Sequence, residues 1–345
     1  MDEDPVLVDA RVSPAFRAPE PQGLLQPREP PALSVVVPYY RGADVIREAI
    51  ASALDQTLPP DEIVICDDGS PDDLEAALGS LLPQVRIVRK ENGGVASAMN
   101  AAARAARGEF VVQLDQDDIF EPKRLEAIVT VAVSRPDVDI IATDALVEYD
   151  GKPLTRFGEK FPFEANSQRT AILWRCFFAW PAIRRKLLLA VGGYDESFTT
   201  AYDLDCFIRL IYGGAKAAVI DEPLYRWRLS SGSLSSDGSK NAKAHLRALE
   251  KILASDCLDA EERQVAELAM ASQRNTIVRM DARLALEERR PHARRLSLRL
   301  VFGRNLSAGT RVKATLAVVS PTLARWLLAR RTAHDPSGAV LARRG

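Results

Sequence analysis

From residue 33 to about residue 135, short runs of consecutive apolar residues alternate with stretches whose apolar positions recur every three or four residues. The first pattern predicts buried strands and the second predicts amphipathic helices. Strands are expected at 33–37, 62–66, 85–88 and 110–114. Val45, Ile46, Ala49, Ile50, Ala53 and Leu54 mark one helix, and an alanine-rich segment at 95–106 marks another. Ser70-Pro71-Asp72-Asp73 predicts a further helix start, with Ser70 capping, Pro71 in the first turn and Asp73 closing a capping box. Such alternation implies parallel strands joined by right-handed crossovers. Beyond residue 135 the pattern loosens into strands at 138–142, 217–220 and 224–228 and a helix at 204–212. From about residue 240 only Ala/Leu/Arg-rich helical segments remain, and there is no internal repeat.

Parallel strands deliver the segments that follow them to one edge of the sheet, where ligands of open α/β sheets bind. Those segments are Pro38-Tyr39-Tyr40-Arg41, Asp67-Asp68-Gly69-Ser70, Asn92-Gly93-Gly94 and Asp115-Gln116-Asp117-Asp118. They are polar or glycine-rich where the strands are apolar, which points to one shared site. The last of them places three carboxylates directly after a buried strand. Asp115 and Asp117 are two residues apart, so an extended backbone would point both the same way. Two such carboxylates make a hard-oxygen site for Mg²⁺ or Mn²⁺; the alternative is a solvated acidic turn before a helix begun by Pro122. Asp68 can accept a hydrogen bond from a nucleobase N–H or stabilise its own turn. Tyr40 offers a flat ring, and the Gly93-Gly94 backbone can approach a phosphate. A second acidic cluster, Asp203-Leu204-Asp205, either caps a helix or faces the site. All three histidines lie beyond residue 240, so a general base in the first two-thirds of the chain is expected to be a carboxylate.

Composition refines this picture only locally. The 345 residues suit one catalytic domain with an appendage, and 47% hydrophobic with 27% charged residues is ordinary globular chemistry. A net charge of −1 argues against nucleic acid as a partner. Residues 1–31 carry seven prolines and few apolar residues, which predicts a flexible lead-in. The remainder divides into a catalytic domain at 32–240 and a helical basic extension at 241–345. Cys66, Cys176, Cys206 and Cys257 show no metal or redox spacing. The acidic start Met1-Asp2-Glu3-Asp4 is not a secretory signal, and the most apolar stretch, 171–183, is interrupted by Arg175 and Pro181. A cytoplasmic protein is expected. Residues 291–345 hold eleven basic residues against Asp335 alone, interleaved with Leu323, Trp326, Leu327 and Leu328. That is either a surface lying on anionic lipid at the inner face of the membrane or a helical flap packed on the catalytic domain.

The segment 33–37 with Pro38-Tyr39-Tyr40, the Cys66-Asp67-Asp68-Gly69-Ser70 turn, Asn92-Gly93-Gly94-Val95 and Leu114-Asp115-Gln116-Asp117-Asp118 with Pro122 resemble the family-2 inverting glycosyltransferases of the GT-A fold. Gly192-Gly193-Tyr194-Asp195-Glu196 with Asp203-Leu204-Asp205, then Tyr225-Arg226-Trp227-Arg228 and Ser233-Leu234-Ser235, resemble the later blocks of that family, in order. The resemblance spans about residues 32–236. It implies a Rossmann-like, mostly parallel sheet flanked by helices, here followed by a C-terminal α-helical extension. It also implies a nucleoside-diphosphate-sugar donor (a UDP-sugar favoured), Mg²⁺ or Mn²⁺, inversion at the anomeric carbon, and a glycan or lipid-linked acceptor in surface polysaccharide or glycoconjugate synthesis. By position, Pro38, Tyr40 and Asp68 would hold the base, with Gly94 also on the donor side. Asp115 would serve the ribose or the metal, Asp117 the metal, and Asp203 would be the catalytic base. Arg226, Arg228 and Asp205 would face the diphosphate or acceptor. Two positions depart from the pattern: Arg228 stands where relatives often carry His, and Met99 where they often carry Arg. Arg cannot ligate a cation, which thins the expected metal shell. A second class of function is a degenerate nucleotide-sugar-binding scaffold of a polysaccharide assembly complex, against which the intact Asp115, Asp117 and Asp203 argue. A nucleotidyltransferase would want a glycine-rich loop after the first strand, and none is there.

Overall fold

The computed structural model describes residues 29–229, 238–303 and 306–334. Most of the lead-in, the Ser233-Leu234-Ser235 block and the last eleven residues therefore lie outside the described residues. Strands β1 (Leu33–Tyr39), β2 (Glu62–Asp67), β3 (Arg86–Arg89) and β4 (Phe110–Gln113) pair in parallel in the order β3-β2-β1-β4. The sheet continues through β8 (Ala182–Arg184), β6 (Ile140–Tyr149), β9 (Ala217–Leu229) and β5 (Ile119–Phe120), and β7 (Lys152–Arg156) hangs on β6. The β6–β9 pair is parallel; the pairs made by β5, β7 and β8 are antiparallel.

Both faces of the parallel part are covered, which is why β1 carries the consecutive apolar residues Val35, Val36 and Val37 and buries even Ser34. Val36, Val64 and Val111 point into one core, against the small side chains of α3 (Val95–Ala105) and the apolar stripe of α8 (Tyr202–Tyr212). Val35, Val37, Ile63, Ile65 and Val112 point into the other, against α1 (Ile46–Leu54), α2 (Leu74–Leu78) and α4 (Arg124–Ser134). The two cores are the two phases of the strand period.

Several local expectations are corrected. The helix near residue 74 starts after Asp73, whose side chain caps it by accepting from the Ala76 N–H, while Ser70 and Asp72 belong to the preceding turn. Helix α4 starts at Arg124, two residues after Pro122. The strands expected at 217–220 and 224–228 are one strand, kinked where its register slips opposite Asp144 and Pro223 removes a donor. The apolar stretch 171–183 splits into the end of α6 (Gln168–Trp174) and strand β8. Short helices α5 (Phe157–Lys160) and α7 (Arg185–Ala190) complete this part.

Helices α9 (Gly238–Leu253), α10 (Ala260–Glu287), α11 (Ala293–Val301), α12 (Ala308–Val319) and α13 (Pro321–His334) follow. Residue 240 is not a break in packing. Ala248, Leu249, Ile252, Ala266 and Ala269 belong to the same core as α3 and α8, and Arg169 pairs with Glu262 across α6 and α10. The second half of α10 leaves that core, and from Val278 on it joins α11 to α13 in two small alanine-rich clusters. No helix among the described residues is long and apolar enough to cross a membrane.

Candidate active site

At the C-terminal edge of the parallel strands lies an open cavity of about 1370 Å³. Its lining brings together Pro38, Tyr40, Asp68, Gly94, Asp115, Asp117, Asp203 and Arg228. The sequence pattern alone scattered these positions over 190 residues; the shared strand direction collects them.

Each is held by a nameable contact. The Tyr40 N–H donates to Gln116 Oε1 at 2.9 Å and the Gln116 amide donates back to the Tyr40 carbonyl at 3.1 Å, which ties the end of β1 to the acidic turn. Asp68 is buried and accepts from Lys90 Nζ at 2.7 Å, the Gly93 N–H at 3.0 Å and the Gly94 N–H at 2.7 Å. Asp68 is thus the organiser of the 92–94 loop. The two glycine N–H groups expected to face a phosphate point at this carboxylate instead. Gly94 adopts φ 87, a conformation that glycine takes without strain.

The acidic segment is a turn, with the Asp118 N–H donating to the Asp115 carbonyl at 3.1 Å. Asp115 and Asp117 therefore reach the same cavity across a turn, not along an extended strand. Asp115 accepts from Gln113 Nε2 at 2.9 Å and from the Trp180 indole N–H at 2.6 Å. Burial, then the neighbouring charge of Asp117, pushes its carboxyl up to about 6, with Asp203 adding in the same direction. Asp117 is also raised, chiefly by burial, and Arg228 opposes the shift. Asp118 is different: it is buried, accepts from Tyr225 Oη at 2.7 Å and the Arg228 N–H at 2.8 Å, and its carboxyl is pushed well up by burial. Asp118 supports the turn from beneath.

Asp203 sits in the first turn of α8, after Ala201 in a left-handed conformation (φ 51), and does not cap the helix. Upstream, Asn100 on α3 clamps the Gly192–Glu196 loop. It donates to the Tyr194 carbonyl (2.8 Å) and Glu196 Oε1 (3.0 Å) and accepts from the Tyr194 N–H (2.8 Å). A Cβ at Gly193 would stand 2.3 Å from Asn100 Oδ1, so this double-glycine turn is required by close approach.

Two expected residues are not brought in. Asp205 is buried behind the helix, paired with Arg209 at 2.8 Å and Lys251 at 2.6 Å. Arg226 pairs with Glu121 at 2.7 Å and is outside the cavity lining. Arg228 does line it. Its Nε donates to the Asp117 carbonyl and its Nη1 to Glu48 at 2.5 Å, while its buried Nη2 has no protein partner.

Trp180 also lines the cavity, and no motif pointed to it. It holds φ 43, uncommon for a bulky residue, stacks on Tyr225 with centroids 4.4 Å apart, and donates to Asp115. Beneath it Arg124, fully buried, donates to the Trp180 carbonyl and Thr143 and lies against the rings of Phe120 and Tyr225. A tryptophan before a proline inside an apolar run was the only trace of this. Although His245 lies beyond residue 240 in sequence, α9 brings it to the far wall of the cavity. It is buried, bonded to the Leu173 carbonyl at 2.9 Å, and burial lowers it to about 4, so it is neutral at pH 7.

Asp115 and Asp117 fit a divalent cation in donor chemistry, being hard oxygens, and in charge, because Asp115 is destabilised by a negative neighbour. Among the described residues no three His, Cys, Asp or Glu groups could hold an ion unaided. An ion here would draw the rest of its shell from water and substrate oxygens.

Residues 34–192 match the family model "Glycosyl transferase family 2". Among curated proteins, the chain is 33% identical over 184 residues to a chondroitin synthase of Pasteurella multocida (strain Pm70), covering 52% of this chain and 19% of that protein. It is 30% identical over 188 residues to an uncharacterized glycosyltransferase of Rickettsia prowazekii (strain Madrid E), covering 52% and 58%. The chain thus spans about a fifth of the synthase and under two-thirds of the Rickettsia protein. Among solved structures it shares the fold of S. aureus TarS 1–349 in complex with UDP-GlcNAc (TM-score 0.60, 17% identity, 83% of this chain and 91% of that one). It likewise shares the fold of a Pyrobaculum calidifontis mannosyltransferase in complex with GDP-Man and Mn²⁺ (TM-score 0.55, 20% identity, 87% of each). The GT-A fold is shown, and residues 34–192 are a glycosyltransferase family 2 domain.

Proposed function

From a chain that carries a glycosyltransferase family 2 domain, we propose an inverting transferase that moves a sugar from a nucleoside-diphosphate sugar, favouring UDP, to the hydroxyl of a glycan or lipid-linked acceptor. The proposal extends to Mg²⁺ or Mn²⁺ dependence, to synthesis of bacterial surface polysaccharide or glycoconjugate, and to action in the cytoplasm at the inner face of the membrane. The observation that carries it is the convergence of Asp115, Asp117 and Asp203 on one cavity from two separate elements. At about 1370 Å³ that cavity exceeds the roughly 300–1,000 Å³ of a single small-molecule site, which suits two substrates. The named relatives and the ligands of the solved neighbours support donor class and pathway.

In this reading Pro38 and Tyr40 border the base, and Asp68 shapes their surroundings through the 92–94 loop. Asp115 and Asp117 would hold the cation, which would supply charge neutralisation for the leaving diphosphate. The unpartnered Nη2 of Arg228 supplies a buried donor for an anionic oxygen. Asp203 takes the proton of the acceptor hydroxyl as that oxygen bonds the anomeric carbon. The bond from that carbon to the diphosphate breaks, and its electron pair leaves with the diphosphate. A helix N-terminus favours the ionised base before the proton arrives.

The test is a thermal-shift panel of nucleotide sugars with Mg²⁺ or Mn²⁺, since a ligand that binds only the folded state raises its apparent stability. One donor should stabilise the protein in a metal-dependent way, and Asp117→Ala should abolish that dependence while the protein stays folded. No stabilisation by any donor, or unchanged metal dependence in the variant, overturns the reading.

A further inference from the structure

Helices α11, α12 and α13 pack in sequence and bury one face each. Ala293, Leu300, Ala314, Ala317 and Ala324 meet Ala282, Ala285 and Leu286 of α10. Their other faces are apolar as well. Leu298 on α11 and Phe302 just past its end, four residues apart, are exposed, Phe302 at 78%. On α12, Val312 and Val319 are 69% and 73% exposed, and with Leu316 they line a shallow apolar groove along the helix. On α13, Leu323, Trp326 and Leu327 are exposed at the i, i+3, i+4 spacing of one stripe. Single exposed apolar residues are normal on any protein. Stripes at helical spacing on three consecutive helices mark an interaction surface.

Charge identifies the occupant. Residues 291–334 contain nine lysines and arginines and no aspartate or glutamate. Arg294, Arg295, Arg299, Arg311 and Lys313 are exposed among the apolar stripes. A second copy of the same face would bring like charges together with no carboxylate to offset them. An anionic bilayer answers both features at once, because apolar side chains enter the headgroup–acyl boundary while basic ones meet lipid phosphates.

We propose that the outward face of α11–α13 is a docking surface for an anionic phospholipid bilayer. The assignment specifies residues for the membrane contact stated above, and it stands or falls apart from the reaction assigned to the cavity. The full chain should sediment with vesicles of phosphatidylglycerol and phosphatidylcholine in roughly equal parts, bind vesicles of phosphatidylcholine alone far more weakly, and release as salt rises. Arg299→Gln with Lys313→Gln should weaken binding about 30-fold, at about fivefold per charge near the surface. Val319→Ser with Trp326→Ser should weaken it at least about tenfold. Melting temperatures within a few degrees of the unmodified chain would show that these surface changes leave the fold intact. Absence of binding to anionic vesicles overturns the proposal, as does binding by both variants equal to that of the unmodified chain. So does a concentration-dependent dimer in sedimentation velocity that the apolar variant abolishes while vesicle binding is absent, since that assigns the face to a second copy.

Discussion

The two walls of the cavity are built by different means. On the strand-edge wall, polar groups meet because parallel strands end together: Asp68 meets Gly93 and Gly94, and Tyr40 meets Gln116. Opposite it, α6, α8, α9 and the indole of Trp180 come from segments with no shared strand register. Contacts there include Trp180 to Asp115 across 65 residues and His245 to Leu173 across 72. The first wall follows from local pattern plus one topological rule. The second is a tertiary fit, held by burial and by single hydrogen bonds. The strand-edge wall is accordingly expected to set donor and metal binding, while the helical wall governs stability and the presentation of the acceptor.

The largest expected effect falls on Asp203, where the two walls meet. Asp203→Asn keeps the size and removes the proton acceptor. Transfer should fall about 10²–10⁴-fold, the usual contribution of a general base, while metal-dependent donor binding stays near that of the unmodified protein. Asp205 is a poor rival because Arg209 and Lys251 already engage it, and Glu196 is engaged by Asn100. Transfer within a few-fold of the unmodified rate would remove Asp203 from this role.

How far each wall was legible follows from the same contrast. Strands β1 to β4, their direction and the polar segments at their edge were readable, because apolar runs and helical periodicity are local signals. Asp115 and Asp117 converge through a turn, where the two-residue alternation of an extended strand does not hold. Strands β5, β7 and β8 left no pattern, being two to five residues long or largely exposed. The tryptophan on Asp115, the buried Arg124 beneath it and the arrival of His245 depend on chain crossings that no local window contains. Asp205 and Arg226 show the converse: a motif position names a candidate, but only packing decides which side chain faces the cavity.

A second effect belongs to the helical wall alone and appears in acid. His245 is held near 4, below its ordinary value of about 6.5. The unfolded chain therefore takes up the proton first as pH falls. The stability tied to neutral His245 is complete above about pH 6.5 and is lost progressively down to about pH 4, by an amount on the order of 3 kcal/mol. Urea unfolding at pH 7 and at pH 4.5 should show this loss in the unmodified protein, and a smaller loss in His245→Asn. Equal pH dependence in the two proteins would mean that the histidine is not buried neutral, and the helical wall would then be looser than described.

The smallest effect probes the link between the helical wall and the loop that carries the acceptor side. Lys251 on α9 reaches Asp195 at 2.8 Å and Asp205 at 2.6 Å. With the Ser197 hydrogen bonds, it holds the Asp195 carboxyl well below the usual carboxylate range. A lowered carboxyl stabilises the fold above its unfolded value near 4, and that contribution is lost as pH falls further. Lys251→Met should nevertheless cost only about 0.5–1 kcal/mol at pH 7. The lysine is partly exposed, so solvent screens its charge, and Asp205 keeps Arg209 as a partner. If the two walls divide their tasks as argued, kcat and donor affinity should change little, while KM for the acceptor rises a few-fold because the 195–198 loop loses one anchor. A matched fall in donor affinity would show that the loop also shapes the strand-edge wall, and the division between the walls would not hold.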